Sequence, residues 1–194
     1  MQELVVATGN PGKLKEIQEY FTGLPWKLEL KPQELDIEET GTTFIANARL
    51  KASEVAKAIG KWSIADDSGL AVDALGGAPG LYSARYGKTD EERINRLLTE
   101  LEGIENRQAK FVCAIAIANP EGKIVLETEG ICPGEILTSP SGDGGFGYDP
   151  IFYVPTEKQT FARMSPEIKS KISHRGVAFA RLMPDLKRLK VNSH

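Results

Sequence analysis

The sequence predicts an α/β fold, and three observations carry that reading. A short apolar run, Glu3–Ala7, passes through the turn TGNPG into a segment from Lys13 to about Leu24, where Leu14, Ile17, Phe21 and Leu24 recur at helical spacing. Strand, glycine turn and helix in that order are the local unit of α/β proteins. Further on, a long helix capped by Thr42 or Thr43 and closed by Gly60 leads into a second apolar run, Trp62–Asp66. Finally, Lys110–Ala118 and Lys123–Glu129, separated by NPEG, read as a hairpin.

The remaining elements follow in order. Trp26–Leu30 alternates weakly and reads as a strand, whereas Lys31–Gly41 carries Glu34, Asp36, Glu38 and Glu39 after Pro32 and reads as a loop. The long helix buries a stripe of Phe44, Ala48, Ala52, Val55 and Ile59, and its Asn47 and Lys51 project together from a neighbouring face. The strand Trp62–Asp66 is expected to end on two adjacent carboxylates, Asp66 and Asp67, followed by irregular glycine-rich chain as far as Gly87. A loop of that length is either mobile or part of a site. Asp90–Leu101 is a charged helix with Ile94, Leu97, Leu98 and Leu101 facing inward. Gly142–Gly147 is a second glycine-rich turn, and the run DPIFYVP after it is strand-like. Ser165 before Pro166 starts a helix, and a last amphipathic helix runs from about Gly176 to Leu189. With neither repeat nor long linker, residues 1–194 read as one domain with two lobes.

Composition narrows the function. The 194 residues are 41% hydrophobic and 26% charged, which is ordinary for a globular protein. A formal charge of −3 gives no footprint for duplex nucleic acid or an anionic membrane. The two cysteines, Cys113 in KFVCAIAIA and Cys132, form no CxxC spacing, so a zinc or redox centre is not expected and a reduced compartment is. Near the N-terminus the only apolar run is Leu4–Ala7, neither signal peptide nor span, which places the protein in the cytoplasm.

Four segments bear chemistry. TGNPGK joins a strand to a helix N-terminus, where unpaired amides and Lys13 favour an anion, although it lacks the spacing of a Walker A loop. Asp66 and Asp67 lie on extended backbone, so only one of them shares the face of Ala65; one serves a site while the other caps a turn through the amides of Ser68 or Gly69. In GGFGYDP, Phe146 is either a stacking surface for a flat ligand or a core plug, and Asp149 is an acceptor among glycines. SHRG, with nearby Lys169 and Lys171, gathers donors suited to an anionic or carbonyl-bearing ligand.

Together TGNPGK, ADDSGLAVDALGGAPGLYSARYG, GGFGYDPIF and SHRG resemble the pyrophosphatases of non-standard purine nucleoside triphosphates, the inosine/xanthosine triphosphatase (HAM1-like) family. The similarity spans the whole chain in order. It implies a long mixed sheet flanked by helices, two lobes with a cleft between them, and a homodimer. The implied reaction is Mg²⁺-dependent hydrolysis of ITP, dITP and XTP at the α–β bond, giving the monophosphate and pyrophosphate. On that pattern Thr8, Asn10 and Lys13, with Gly9, Pro11 and Gly12 of the same turn, hold the triphosphate together with Lys51. Asp67 is the general base and a metal ligand with Ser68 beside it, and Glu39 or its neighbour Glu38 completes the metal site. Phe146 stacks on the base, Gly147, Tyr148 and Asp149 line the nucleoside site, and Lys169, His174 and Arg175 contact the base and its 6-keto oxygen. The glycine-rich run after Asp67 shapes the floor of the cleft and the dimer contact.

The implied chemistry is physically consistent. Donors aimed at a purine O6 are left unpaired by a 6-amino group, which discriminates against adenine. One departure is Arg163 in FARM, where relatives commonly carry an acid; it alters a salt bridge near Lys169. A Maf-like nucleotide pyrophosphatase is the alternative among enzymes, and the GGFGYD and SHRG strings speak against it. A non-catalytic nucleotide sensor is the alternative outside enzymes, and the intact Asp67, Glu39 and Lys13 speak against that.

Overall fold

The structure, a computed structural model, describes residues 1–189. Seven strands form one mixed sheet in the order β2-β1-β3-β4-β5-β6-β7. They are β1 (Gln2–Val6), β2 (Trp26–Leu30), β3 (Trp62–Val72), β4 (Gln108–Ala118), β5 (Ile124–Ile136), β6 (Phe152–Val154) and β7 (Gln159–Thr160). β1 runs parallel to β2 and β3, while β6 is antiparallel to β5 and β7. Among the described residues five α-helices flank it: α1 (Pro11–Tyr20), α2 (Phe44–Ile59), α3 (Asp90–Glu100), α4 (Pro166–Ile172) and α5 (His174–Arg188). Among the described residues no helix is long and apolar enough to cross a membrane.

The chain divides into two compact units. One comprises Met1–Asp67, Cys113–Gly130 and the segment from Ala178 onward; the other comprises Ser68–Val112 and Ile131–Val177. The last five residues of the expected 1–194 domain lie outside the described residues.

In the first unit the alternation of strand side chains sorts residues by size. Leu4, Val6, Ile64, Cys113, Ile115 and Ile117 face one way and pack with Ile17 and Phe21 of the α1 region and Phe179 and Leu182 of α5. Val5, Ala7, Ala65, Ala114, Ala116 and Ala118 face the other way, against Ala48, Ala52, Val55 and Ala56 of α2. The second helix therefore lies on a nearly all-alanine face. In the second unit Leu70, Val72, Ile94, Leu97, Phe111, Ile151, Phe152 and Phe161 are part of one core.

Several elements fall where the sequence puts them. β2 and the α2 caps agree: Thr43 Oγ1 accepts from the Ala46 amide at 3.1 Å, and Gly60 closes the helix at φ 65°. Other boundaries differ. α1 begins at Pro11 and ends at Tyr20, short of Leu24, because Gly23 turns at φ 79° ahead of Pro25; Phe21 and Leu24 still pack into the core. β3 does not end on the two acids but runs through them to Val72, and irregular chain starts only there, with 3₁₀ turns at Asp73–Leu75 and Gly80–Arg85. Carboxylates do not stop a strand whose ladder is made by backbone groups, provided each side chain has a partner. β5 likewise outruns its apolar pattern to Ile136, and Gly134 is required there because a Cβ would lie 2.6 Å from both the Phe152 ring and the Tyr153 carbonyl oxygen.

Candidate active site

In the first unit, the period of two along β3 decides where each acid goes. Asp67 shares the Ala65 face and meets α2, whereas Asp66 shares the Ile64 face and meets α1. Both are buried, at 7% and 2% exposure. Asp66 Oδ1 lies 3.3 Å from Lys13 Nζ, and its other oxygen receives the Cys113 thiol at 3.7 Å. This replaces the expected turn cap: Asp66 is an ion-pair partner inside a strand.

Lys51, one α2 turn past Asn47, gathers the other acids. Its Nζ lies 3.0 Å from Glu39 Oε1 and 3.5 Å from Asp67 Oδ1, and it donates to the Asp66 carbonyl oxygen at 2.7 Å. Leu35 and Ile37 turn inward onto the alanine face, so Glu39 is next in that alternation while Glu38 points to solvent. Glu39 is thus the member of the pair that joins the cluster. The loop is held by the Asn47 side chain, which accepts the Gly41 amide at 2.7 Å; a Cβ at Gly41 would lie 2.6 Å from that same oxygen. Sequence reasoning placed Asn47 beside Lys51 but missed this role, for which the signal was the helical spacing with Lys51 and a glycine two residues after Glu39.

Burial pushes the Asp67 carboxyl above its ordinary range, and Glu39 and Asp66 add to this, more than Lys51 and Lys13 offset. Burial also works against the charged form of Lys51, but Asp67, Asp66 and Glu39 together outweigh it and hold the ammonium above the usual lysine range. The two directions agree once the charges are counted, since one ammonium serves three carboxylates. Asp67 Oδ2 is buried with no hydrogen-bond partner among the described residues.

The TGNPGK turn differs from expectation in one respect. Asn10 caps α1 with its side chain, accepting the amides of Gly12 at 2.9 Å and Lys13 at 3.2 Å, and its own amide donates to Thr8 Oγ1 at 3.1 Å. The amides expected to be unpaired are held by Asn10, which leaves Lys13 as the turn's anion-attracting group. Gly9 and Pro11 are exposed, and a Cβ at Gly9 would meet nothing within 4 Å.

A separate cluster occupies the second unit. Asp149 Oδ2 accepts the Phe146 amide at 3.1 Å and pairs with Lys169 Nζ at 2.7 Å; that ammonium lies 5.0 Å from the Phe146 ring centre. Phe146 is half-buried and lies outside the core, so it is not a plug. Tyr148 is the opposite: its ring is in the core and its hydroxyl donates to the Ser83 carbonyl at 2.7 Å, with burial pushing the phenol far above its ordinary range. Tyr148 therefore supports the loop from below.

His174 begins α5 instead of preceding it and stacks on Phe111, with ring centres 4.6 Å apart and planes 13° from parallel. Arg175 is 1% exposed and donates to Ser68 Oγ at 3.1 Å. Gly176 permits the tight α4–α5 junction, since a Cβ would lie 2.1 Å from the Ser170 carbonyl oxygen. Arg163 donates to Ser141 Oγ at 2.7 Å, while Lys169 finds its acid in Asp149.

A mixed sheet between helices, with a buried lysine–carboxylate cluster drawn from β3, α2 and the loop before α2, defines an α/β protein with a charged site. Residues 4–185 match the Ham1 family, and the chain belongs to it. It is 66% identical over 183 residues to a dITP/XTP pyrophosphatase of Nostoc sp., covering 94% of this chain and 93% of that one. It is 61% identical to a dITP/XTP pyrophosphatase of Synechocystis sp. over the full length of both. Among solved structures, a HAM1 protein from Coxiella burnetii superposes with a TM-score of 0.88 at 44% identity, covering 97% of this chain and all of the other.

Proposed function

We propose that the chain hydrolyses purine nucleoside triphosphates with a 6-keto base, dITP, ITP and XTP, to the monophosphate and pyrophosphate. The observation that carries this is Asp67, a buried carboxylate held beside Lys51 and Glu39, with one oxygen that has no hydrogen-bond partner among the described residues. Such an oxygen suits a general base, and its raised proton affinity brings it nearer the working pH. Lys13 and Lys51 supply positive charge for the phosphoryl oxygens.

Asp67 and Glu39 fit a magnesium ion. Both carboxylates approach the same Lys51 ammonium, and magnesium takes one or two carboxylates and completes its shell with phosphate oxygens and water. When bound, the ion supplies charge neutralisation of the triphosphate. Asp67 Oδ2 takes a proton from the attacking water, whose oxygen bonds to the α-phosphorus. The bond from that phosphorus to the bridging oxygen breaks, and its electron pair leaves with pyrophosphate. Lys51 holds Asp67 ionised and aligned before the substrate arrives.

In the second unit, Phe146 is the stacking surface for the base. Lys169, His174 and Arg175 supply the donors that a 6-keto group accepts and a 6-amino group does not. Ser68 holds Arg175 in place through its hydroxyl. The working form is a homodimer in the cytoplasm, a reading that rests on the sequence resemblance and on two buried cysteines that form no disulfide. Light scattering on the purified chain tests the assembly.

The test of function is a panel of dITP, XTP, dATP and dGTP with Mg²⁺, scoring pyrophosphate against orthophosphate. Turnover of dITP and XTP with pyrophosphate as first product is expected. Equal turnover of dATP refutes the base selection, and orthophosphate as first product refutes the bond assignment.

A further inference from the structure

We infer that Asp90 is a positioning residue for the base-stacking loop, acting through the Gly147 amide; this rests on the reading of Phe146 as the stacking surface. Helix α3 does not need Asp90 as a cap. Thr89 fills that role, accepting the Glu92 amide at 3.1 Å, and Glu92 reaches back to the Lys88 amide at 2.7 Å. The Asp90 carboxylate is therefore available to leave the helix. Its Oδ2 accepts the Gly147 amide at 2.8 Å, while Oδ1 is braced by Arg93 at 2.6 Å. Arg93 in turn donates to the Ala84 carbonyl at 3.0 Å, so the carboxylate is fixed from behind.

The loop needs such a tether. Gly145 and Gly147 sit at φ 70° and 61°, where the backbone is free to choose other conformations. Three amides define its path: Gly144 donates to the Ala162 carbonyl at 3.1 Å, Phe146 to Asp149, and Gly147 to Asp90. Asp149 belongs to the loop itself, and Ala162 to the 3₁₀ turn Phe161–Arg163 that follows β7. Asp90 alone of the three comes from the α3 side, 57 residues away in sequence. It fixes the residue immediately after Phe146, so its loss frees the ring's backbone on the C-terminal side while leaving the ring intact.

The experiment compares Asp90→Ala, Asp90→Asn, Arg93→Ala and Phe146→Ala in steady-state kinetics with dITP. Asp90→Ala is expected to raise KM about 5–10-fold with kcat within twofold, the lower range for a charge-assisted hydrogen bond at a half-exposed site. Asp90→Asn keeps an acceptor oxygen and should recover most of the loss, and Arg93→Ala should fall between them. Amide exchange gives a readout independent of turnover: the Gly147 amide should exchange faster in Asp90→Ala and near the wild-type rate in Asp90→Asn. If Phe146→Ala raises KM and Asp90→Ala does not, the positioning role is wrong. If Asp90→Asn is as impaired as Asp90→Ala, the amide tether is wrong. If Phe146→Ala leaves KM unchanged, the stacking assignment fails, whatever Asp90 does.

Discussion

Replacing Asp67 by asparagine should make the protein more stable and at the same time inactive. The native carboxyl is buried, lies within the field of the Glu39 and Asp66 charges, and reaches Lys51 only at 3.5 Å, so its proton affinity in the folded chain exceeds that in the unfolded chain. A group raised in this way favours folding fully below its ordinary pKa of 3.8 and loses that contribution as pH rises through the folded value. At pH 7 the contribution is gone and the ionised side chain opposes folding. The neutral amide removes that opposition. Lys51 keeps Glu39 and the Asp66 carbonyl, so the substitution strands no cation. A gain of about 0.5–2 kcal/mol is expected. For a chain of this length that is a rise in Tm of roughly 1–8 °C. Thermal unfolding is measured with chelator at pH 7 and repeated toward pH 4, where the difference should shrink as the wild-type carboxyl takes up its proton. Turnover should fall by about 10²–10⁴ with the base removed. A Tm lowered at pH 7, or a difference that grows toward pH 4, would refute the electrostatic reasoning; near-normal turnover would remove Asp67 as the base.

The other predictions concern neighbouring parts of the site. Lys51→Ala leaves Glu39 and Asp67 facing each other without their shared cation, and should destabilise by about 3 kcal/mol, or roughly 6–12 °C by thermal melt. Added Mg²⁺ should raise the Tm of the wild-type chain and not that of a Glu39→Gln, Asp67→Asn double variant, since only a ligand bound to the folded state stabilises it. Gly145→Ala forces a Cβ to within 2.0 Å of Asp149 Oδ2 and should raise the KM for dITP, whereas Gly9→Ala meets open space and should fold normally; any affinity it loses reports ligand passing over the turn. Burial holds the Cys132 thiol up at about 11, so Ellman's reagent at pH 8 should find no accessible thiol in the native protein and two after denaturation.

Much of the fold was legible because several of its elements are built from strong local signals. The cap at Thr43, the stop at Gly60 and the alternation along β1 and β4 each act within a few residues. The two neighbouring acids were legible in direction as well, since strand geometry alone sends them to opposite faces. What the sequence hid depends on distant partners. β3 continues through Asp66 and Asp67 because Lys13 and Lys51 meet them, and both lysines arrive from other elements. That Glu39, and not Glu38, pairs with Lys51 follows from the inward turn of Leu35 and Ile37, which no local signal announces. Asp90 looked like an ordinary acid in a charged helix, and nothing near it in sequence points to a glycine 57 residues later.

The alanine face beneath α2 has a consequence for evolution as much as for packing. Methyl groups at 65, 114, 116 and 118 let the helix ride low on the strands, and the helix carries the lysine that grips the β3 acid. A single added branch at any of these positions would jack that helix outward and draw the ammonium away from its carboxylate. Side chains with no chemistry of their own thus act as the shims of the chemistry, and drift toward valine there should be resisted as firmly as loss of a charged group.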